Sequence, residues 1–137
     1  MATTIRRNAM DYQQTLDAFW NGFGVIAFQD DTVPDENQFA DMNIAPYPRI
    51  TYSVSTNDFG VPTSMTASIW ARSNSWKTSV SILKQIKNTL KYGGIQLRYD
   101  EGVMWIKTGT PFSSNMTDPD DTIRRIVINI ETEYLEV

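Results

Sequence analysis

Apolar residues recur along the chain at two spacings, one typical of helices and the other typical of strands. Between Asn8 and Phe23 they follow one another at intervals of four, three and four, which predicts one buried face of a first helix. Asn8 is placed to cap the start of this helix, and Gly22 and Gly24 end it. The apolar positions of this face are Tyr12, Leu16, Phe19 and Phe23.

Alternating apolar and polar positions predict strands in the middle and at the end of the chain. Residues 49–55 and 63–72 alternate in this way on either side of a turn-rich loop at 57–62, and we expect them to form an antiparallel hairpin. Residues 121–137 predict a long last strand with one buried and one solvated face. Its inward positions are Ile126, Ile128, Ile130 and Tyr134.

A second helix is predicted after the hairpin, because apolar residues again recur at helical spacing from Trp76 to Leu90. A serine just before this stretch caps the helix, and Gly93 or Gly94 ends it with a left-handed residue. Two short strands, IQLRY and VMWIK, then flank a compact turn at 100–102.

These elements predict an α+β fold in one domain over residues 1–137. The expected order is helix-strand-strand-helix-strand-strand-strand, with an antiparallel sheet of four to five strands and two helices packed on one face. The stretch GVIAF at 24–28 favours one further short strand. Residues 29–45 carry acids without a base, and we expect them to form a solvated acidic loop or arm.

The amino-acid composition excludes several kinds of catalytic and metal site. The chain has no histidine and no cysteine, which excludes imidazole bases, thiol nucleophiles, disulfides and Cys or His zinc sites and leaves only oxygen-ligand metals. The net charge is −4, with 16 acidic and 12 basic residues, so a general polyanion-binding surface is not expected. No apolar run has the length of a membrane span, and we expect a soluble protein without a membrane partner.

The stretch KTGTPFSSNMTDPDD, residues 107–121, holds the groups that most resemble a catalytic site. Asp118, Asp120 and Asp121 offer oxygen ligands, but they lack the register and ligand number of a calcium loop. The two serines have neither a histidine nor a G-x-S-x-G elbow, and the Gly-Thr-Pro corner is not a phosphate loop. The sequence therefore predicts no catalytic residue, no metal site and no cofactor, and it indicates a long connection into the last strand.

Several aromatic and arginine side chains fall on polar faces or in loops, where interface residues are enriched. Trp70 lies on the polar face of its strand, where packing beneath a loop and contact with a partner both explain it. For the two arginines that follow the aspartates, local charge pairing and a contact across subunits both stay open. The candidate contact residues are Phe59, Trp70, Arg72, Phe112, Met116, Arg124 and Arg125.

Four stretches carry motifs that occur in the same order in one known family. They are PYPRITYSVS, SIWARSNSW, GVMWIKTGTPFSSNM and TIRRIVINIETEYLE. Together they resemble the tail terminator and tail completion proteins of long-tailed, siphovirus-type bacteriophages, which have a P-Y-I-T-Y strand, an S-x-W-x-x-S step into a helix and a G-T-P loop. The resemblance runs from Pro46 to the C-terminus, and the first motif departs from the family because Pro48 and Arg49 interrupt it.

The resemblance implies a structural protein of the virion and not an enzyme. Such a protein forms a ring, typically a hexamer, at the head-proximal end of the tail, where it ends polymerisation of the tail tube and offers a joining surface to the neck. The implied partners are further copies of the chain, the tail tube protein and the head-neck connector protein, with DNA only in passage through a channel. The chain would be made in the cytoplasm of a bacterial host.

Net acidity suits a channel that DNA must pass without sticking. The candidate channel-facing residues are Asp30, Asp31, Asp35, Glu36, Asp118, Asp120 and Asp121. Three alternatives stay open: another small head-tail joining or tail tube protein, a monomeric binding module, and a small Asp-dependent metal hydrolase.

Overall fold

The computed structural model describes residues 10–136. In this range the chain forms six β-strands, three α-helices and two short 3₁₀ turns. The strands are β1 (Ile26–Gln29), β2 (Arg49–Tyr52), β3 (Thr63–Arg72), β4 (Ile95–Tyr99), β5 (Gly102–Met116) and β6 (Ile123–Glu136). The helices are α1 (Tyr12–Trp20), α2 (Glu36–Asp41) and α3 (Lys77–Leu90).

The strands form one mixed sheet in the order β1-β2-β3-β6-β5-β4, which is curled into a half-barrel. Neighbouring strands are antiparallel except for β1, which runs parallel to β2 with Ala27 opposite Ile50. The predicted antiparallel sheet of four to five strands, with two helices in the stated order, is therefore wrong. The stretch at 24–28 was too short to show a period, and its parallel pairing needs the long connection that contains α2.

The concave, inner face of the sheet holds the main core. On β6 the inward positions Ile126, Ile128, Ile130 and Tyr134 are all buried, as the alternation of the last strand predicts. They pack with inward side chains of β2, β3 and β5 and with apolar side chains of α1 and α3 in one cluster. The outer face carries polar and charged side chains together with Trp70 and Trp105.

Helix α1 spans the open side of the half-barrel. The ring of Tyr12 lies 6.3 Å from that of Tyr99 on β4, and the ring of Trp20 lies 6.1 Å from that of Tyr52 on β2. Because β4 and β2 lie in opposite halves of the sheet, the helix holds the curled sheet together through its aromatic side chains.

The ends of α1 follow from local capping. Asp11 accepts a hydrogen bond from the amide of Gln14, and the Gln14 side chain accepts one from the amide of Asp11, which is a capping box. The predicted cap at Asn8 lies outside the described residues. At the other end a 3₁₀ turn at Asn21–Phe23 leads to Gly24, which has a φ of 80° and ends the helical stretch as predicted.

Helix α2 packs on the outer face, and this corrects the prediction that the helices share one face. Phe39 is fully buried there, with its ring 5.6 Å from that of Phe28 and 5.7 Å from the guanidinium of Arg49. Asp35 caps the helix in a second capping box. Residues 29–45 thus include a packed helix that the sequence did not reveal, since one buried aromatic gives no periodicity.

Helix α3 packs on the inner face through Ile82, Ile86 and Leu90, each of which is buried. Burial of a side chain of this size stabilises the fold by about 1.5–3 kcal/mol. The helix begins where Ser75 Oγ accepts a hydrogen bond of 3.1 Å from the amide of Lys77. None of the helices in residues 10–136 has the length and apolar character needed to cross a bilayer.

Strand β5 continues well beyond its predicted end at Lys107, so the expected loop is for the most part a strand that reaches Met116. A bulge interrupts it, because residues 109–112 lie opposite Asn129 alone. Asn129 Nδ2 donates a hydrogen bond of 2.8 Å to the carbonyl of Pro111. Pro111 lacks an N–H group, and the bulge places it where no ladder bond is required of it.

Candidate interaction surface

The outer face of the sheet is covered mainly at one end, where α2 lies over β1 and β2. On β3, β6 and β5 most of its side chains are at least partly exposed, and those of Ser64, Thr66 and Ser114 are small and polar. Arginine and aromatic side chains gather in one cluster on this face, and a smaller group on β5 and β6 is formed by Trp105, Lys107 and Glu133. A separate groove lies on the inner-face side of β5. The cluster and the groove are the strongest candidates for contact with a partner.

An arginine–aromatic cluster, formed by Tyr47, Arg49, Trp70, Arg72 and Arg125, crosses the outer face at one end of the sheet. Arg49, Trp70 and Arg125 are register partners across β2, β3 and β6. The guanidinium of Arg125 lies 4.5 Å from the ring centroid of Trp70. The ring of Tyr47 lies 4.6 Å from the guanidinium of Arg49 and 4.8 Å from that of Arg72. These cation–π contacts hold the guanidinium planes in defined orientations.

Trp70 combines a structural role with a position at the rim of this face. It is half-buried, and its Nε1–H donates a hydrogen bond of 2.8 Å to Thr51 Oγ1. Arg125 Nε donates to Ser68 Oγ at 3.2 Å. Met116, the register partner of Arg125 on β5, extends the row and is 43% exposed. A packing role and a contact with a partner therefore both agree with the surroundings of Trp70, since its ring is half-buried and also borders the open surface.

The aspartates at the end of the 107–121 stretch build the turn that precedes β6. Asp118 Oδ1 accepts from the amide of Asp120 at 3.0 Å, and Asp120 accepts from the amide and the hydroxyl of Thr122 and from Arg72 at 3.2 Å. The bonds from Thr122 first, and then the Arg72 guanidinium, lower the pKa of the Asp120 carboxyl below its ordinary value. Within residues 10–136 no three such side chains are grouped as a metal site.

Arg124 takes part in the same turn. Its Nη1 donates a hydrogen bond of 2.6 Å to the carbonyl of Asp121, and its guanidinium lies 5.7 Å from the ring centroid of Trp76. Local bonding therefore accounts for Arg124, whereas Arg125 belongs to the arginine–aromatic cluster.

Phe59 lies at the opposite end of the sheet, in the loop that joins β2 to β3. Its side chain is 60% exposed. The loop is held to the end of β6 by a hydrogen bond of 3.0 Å from the amide of Gly60 to the carbonyl of Tyr134. The structure therefore separates Phe59 from the candidate contacts of the cluster.

A lysine groove lies between the end of α3 and the bulge of β5. Its volume is about 640 Å³. Phe112, which was predicted as a contact, lines this groove and packs partly against the core. The side chain of Tyr92 is 100% exposed at its rim. In the part of the chain that the structure describes, neither groove lysine lies in an ion pair. The lining residues are Lys87, Asn88, Lys91, Tyr92, Thr108, Phe112 and Ser113.

The predicted channel-facing acids fall in two separate places. One group builds the turn before β6, and the other belongs to the acidic segment (residues 29–45), where Asp30 and Asp35 are exposed. The side chains of Asp31 and Glu36 lie outside the described part of the structure. A single copy does not gather those acids whose side chains are described, so a negatively charged channel would have to be built from several copies.

A further groove, of about 740 Å³, follows the edge of β1 beside α1. In it the Tyr52 hydroxyl donates a hydrogen bond of 2.8 Å to Asp17 Oδ1, and burial together with this bond raises the pKa of Tyr52. The side chain of Asn21 accepts from the amide of Ala27 and donates to its carbonyl. Asn21 therefore satisfies backbone groups of this edge strand and hinders the addition of another strand there.

Sequence reasoning missed Tyr47 and Arg49 of the cluster and the groove residues Lys87, Lys91 and Tyr92. The pattern alone assigns the lysines to the solvated face of a helix, and only the bulge of β5 makes them one wall of a groove. The available signal is local: lysines four positions apart lie on one helical face, and an aromatic residue follows directly at the helix end.

Comparison of the chain with protein-family models and with curated protein sequences gave no match.

Proposed function

We propose that the chain is a structural virion protein that assembles into a ring, of six copies, at the head-proximal end of a siphovirus tail tube. In this role it ends polymerisation of the tube and offers the surface that joins the tail to the neck. The proposal rests on the resemblance of the segments that form β2, β3, α3, β5 and β6, and on the kind of surface that these segments carry.

The observation that carries the proposal is the arginine–aromatic cluster on the uncovered part of the outer face. Tryptophan, tyrosine and arginine are the residues enriched at the energetic centres of protein interfaces. Here their side chains are already held by Thr51, Ser68 and one another, so that a partner would find them ordered. Such preorganisation lowers the entropy lost on association.

The carboxylates that had suggested a metal hydrolase have structural partners. Asp118 and Asp120 accept hydrogen bonds within their own turn, and Asp120 is also bonded to Arg72. These bonds favour a role in shaping the turn beside the cluster. Association therefore fits the geometry better than catalysis does.

Self-association provides the direct test. Sedimentation velocity over a wide concentration range, with negative-stain images of the protein alone and mixed with siphovirus tail tubes, should show rings. Met116→Asp places a charge in the exposed row beside Arg125 and should prevent ring formation. Ser64→Asp adds the same charge at an exposed outer position on β3, away from the cluster, and serves as the matched control.

A protein that stays monomeric at every concentration and does not attach to tail tubes would contradict the proposal. Equal assembly of the Met116→Asp variant and wild type would show that rings form through another surface than the cluster.

A further inference from the structure

Charge is strongly segregated along the chain. Residues 8–48 contain seven acidic residues and no basic one, whereas residues 72–99 contain six basic residues and no acidic one. The first stretch includes the acidic segment, and the second includes α3 and the lysine wall of the groove. The net charge of −4 therefore hides two surfaces of opposite sign, which can attract each other between copies.

The lysine groove is built to receive an acidic and partly apolar segment. Lys87 and Lys91 supply positive charge on one wall, which no ion pair among the described residues neutralises. The exposed ring of Tyr92 and the half-buried ring of Phe112 supply apolar surface. The hydroxyl of Ser113 adds a hydrogen-bonding group at the base. Buried aromatic contacts with charges around them are the usual composition of a specific protein contact.

The acidic segment has the matching character. Asp30 is exposed ahead of α2, and Asp41 is exposed at the last position of the helix. Directly after the helix, Met42 is 47% exposed and Ile44 is 37% exposed. The segment therefore presents carboxylates together with two apolar side chains that are partly exposed in the single copy.

One copy cannot bring these two surfaces together. Helix α2 is fixed on the outer face by Phe39, between Phe28 and Arg49. The groove lies on the inner-face side of β5, at the end of α3, three strands away from β2 in the sheet order. Contact between the surfaces therefore requires a second copy.

We infer that the acidic segment of one copy docks in the lysine groove of the next copy. This inference rests on the proposed ring and names the contact that closes it. Because the two patches differ and each copy carries both, the contact is heterologous, which is the kind that produces rings when the rotation closes. Complementary charges would fix the register of the contact and speed its formation.

Charge reversal tests the contact. Lys87→Glu with Lys91→Glu, or Asp30→Lys with Asp41→Lys, should each weaken self-association at least about tenfold, because like charges then meet. A chain that carries all four substitutions should regain association, since the two surfaces are again complementary. Lys77→Glu with Lys84→Glu makes the same charge change on exposed positions of α3 outside the groove and should leave association unchanged.

Self-association is measured by sedimentation velocity, alone and with siphovirus tail tubes, and thermal melts verify that each variant is folded. If a reversed chain melts early, Lys87→Gln with Lys91→Gln removes the charges without reversing them and should still weaken association.

The inference is wrong if wild type forms rings and the groove variants form them equally well, or if the fourfold variant does not recover. It is also wrong if Lys77→Glu with Lys84→Glu weakens association as much as the groove pair does, since net charge alone would then explain the loss. A wild-type chain that forms no ring, alone or on tubes, contradicts the proposed function itself, and the two failures are thereby distinguished.

Discussion

At the residue scale, Gly93 and Gly94 show how a conformational requirement differs from a steric one. Both have a φ of 70°, a backbone conformation that costs an L-residue about 1–2 kcal/mol. A Cβ at Gly93 would meet nothing within 4 Å, whereas a Cβ at Gly94 would lie 2.1 Å from the carbonyl oxygen of Ile106. Only Gly94 therefore fits closely against the sheet.

We predict that Gly94→Ala lowers the free energy of unfolding by about 3 kcal/mol or more, because a backbone clash adds to the strained φ. Gly93→Ala is the matched control and should cost about 1 kcal/mol. Urea denaturation of both variants measures the difference. Equal losses would mean that β4 and β5 shift freely to make room.

The second prediction at this scale concerns Asp120 and pH. Its folded pKa lies below the model-compound value of 3.8, so its charged form stabilises the fold above that pH, and the contribution disappears as pH falls through the folded pKa. Asp120→Asn should therefore be less stable than wild type at neutral pH, and this difference should shrink below about pH 4. Thermal melts from acid to neutral pH test it, with the exposed Asp41→Asn as control. A stability difference between wild type and Asp120→Asn that does not change with pH would show that the charge of the Asp120 carboxylate does not stabilise the fold.

At the scale of the element, the continuation of β5 depends on one side chain of β6. Asn129 bonds the carbonyl of Pro111, and the backbone of Asn129 lies 2.9 Å from where a Cβ of Gly109 would be. Asn129→Ala should cost about 1 kcal/mol of unfolding free energy and should raise amide exchange mainly in residues 109–115. Ser64→Ala, on the same face of β3, is the control and should leave this exchange unchanged. Unchanged amide exchange in Asn129→Ala would mean that the bulge is stable without the Asn129 side chain.

The same elements show how far the sequence could predict the structure. The spacing of apolar residues predicts β6 and α3 correctly, because a long element repeats its pattern several times. β1 spans four residues and α2 spans six, which is too short for a period to appear. The continuation of β5 was missed because the signals of Gly109 and Pro111 are those of a loop, and only pairing with a long neighbouring strand overrides them.

The candidate site could be predicted from the sequence only in part. Trp70 and Arg125 could be singled out because each breaks the expected pattern of a solvated strand face. Tyr47 could not, since its position between two arginines depends on the path of the chain before β2. The lysine groove is formed by elements far apart in sequence, and no local pattern contains it.

At the scale of the whole molecule, the structure keeps surfaces of opposite charge apart, and ionic strength offers a test of whether they meet. The Debye length falls from about 10 Å at 0.1 M to about 3 Å at 1 M salt. Ring formation through the acidic segment and the lysine groove should therefore weaken as salt rises over this range, by about tenfold in the dissociation constant. Lys87→Glu with Lys91→Glu should remove most of the salt dependence of association, because the acidic segment and the groove then no longer attract each other.

Contacts made by the ring of Trp70 depend less on screening by salt and would persist. Sedimentation velocity at several salt concentrations measures both slopes, and a wild-type slope near zero would show that the cluster on the outer face, not the groove, carries the association.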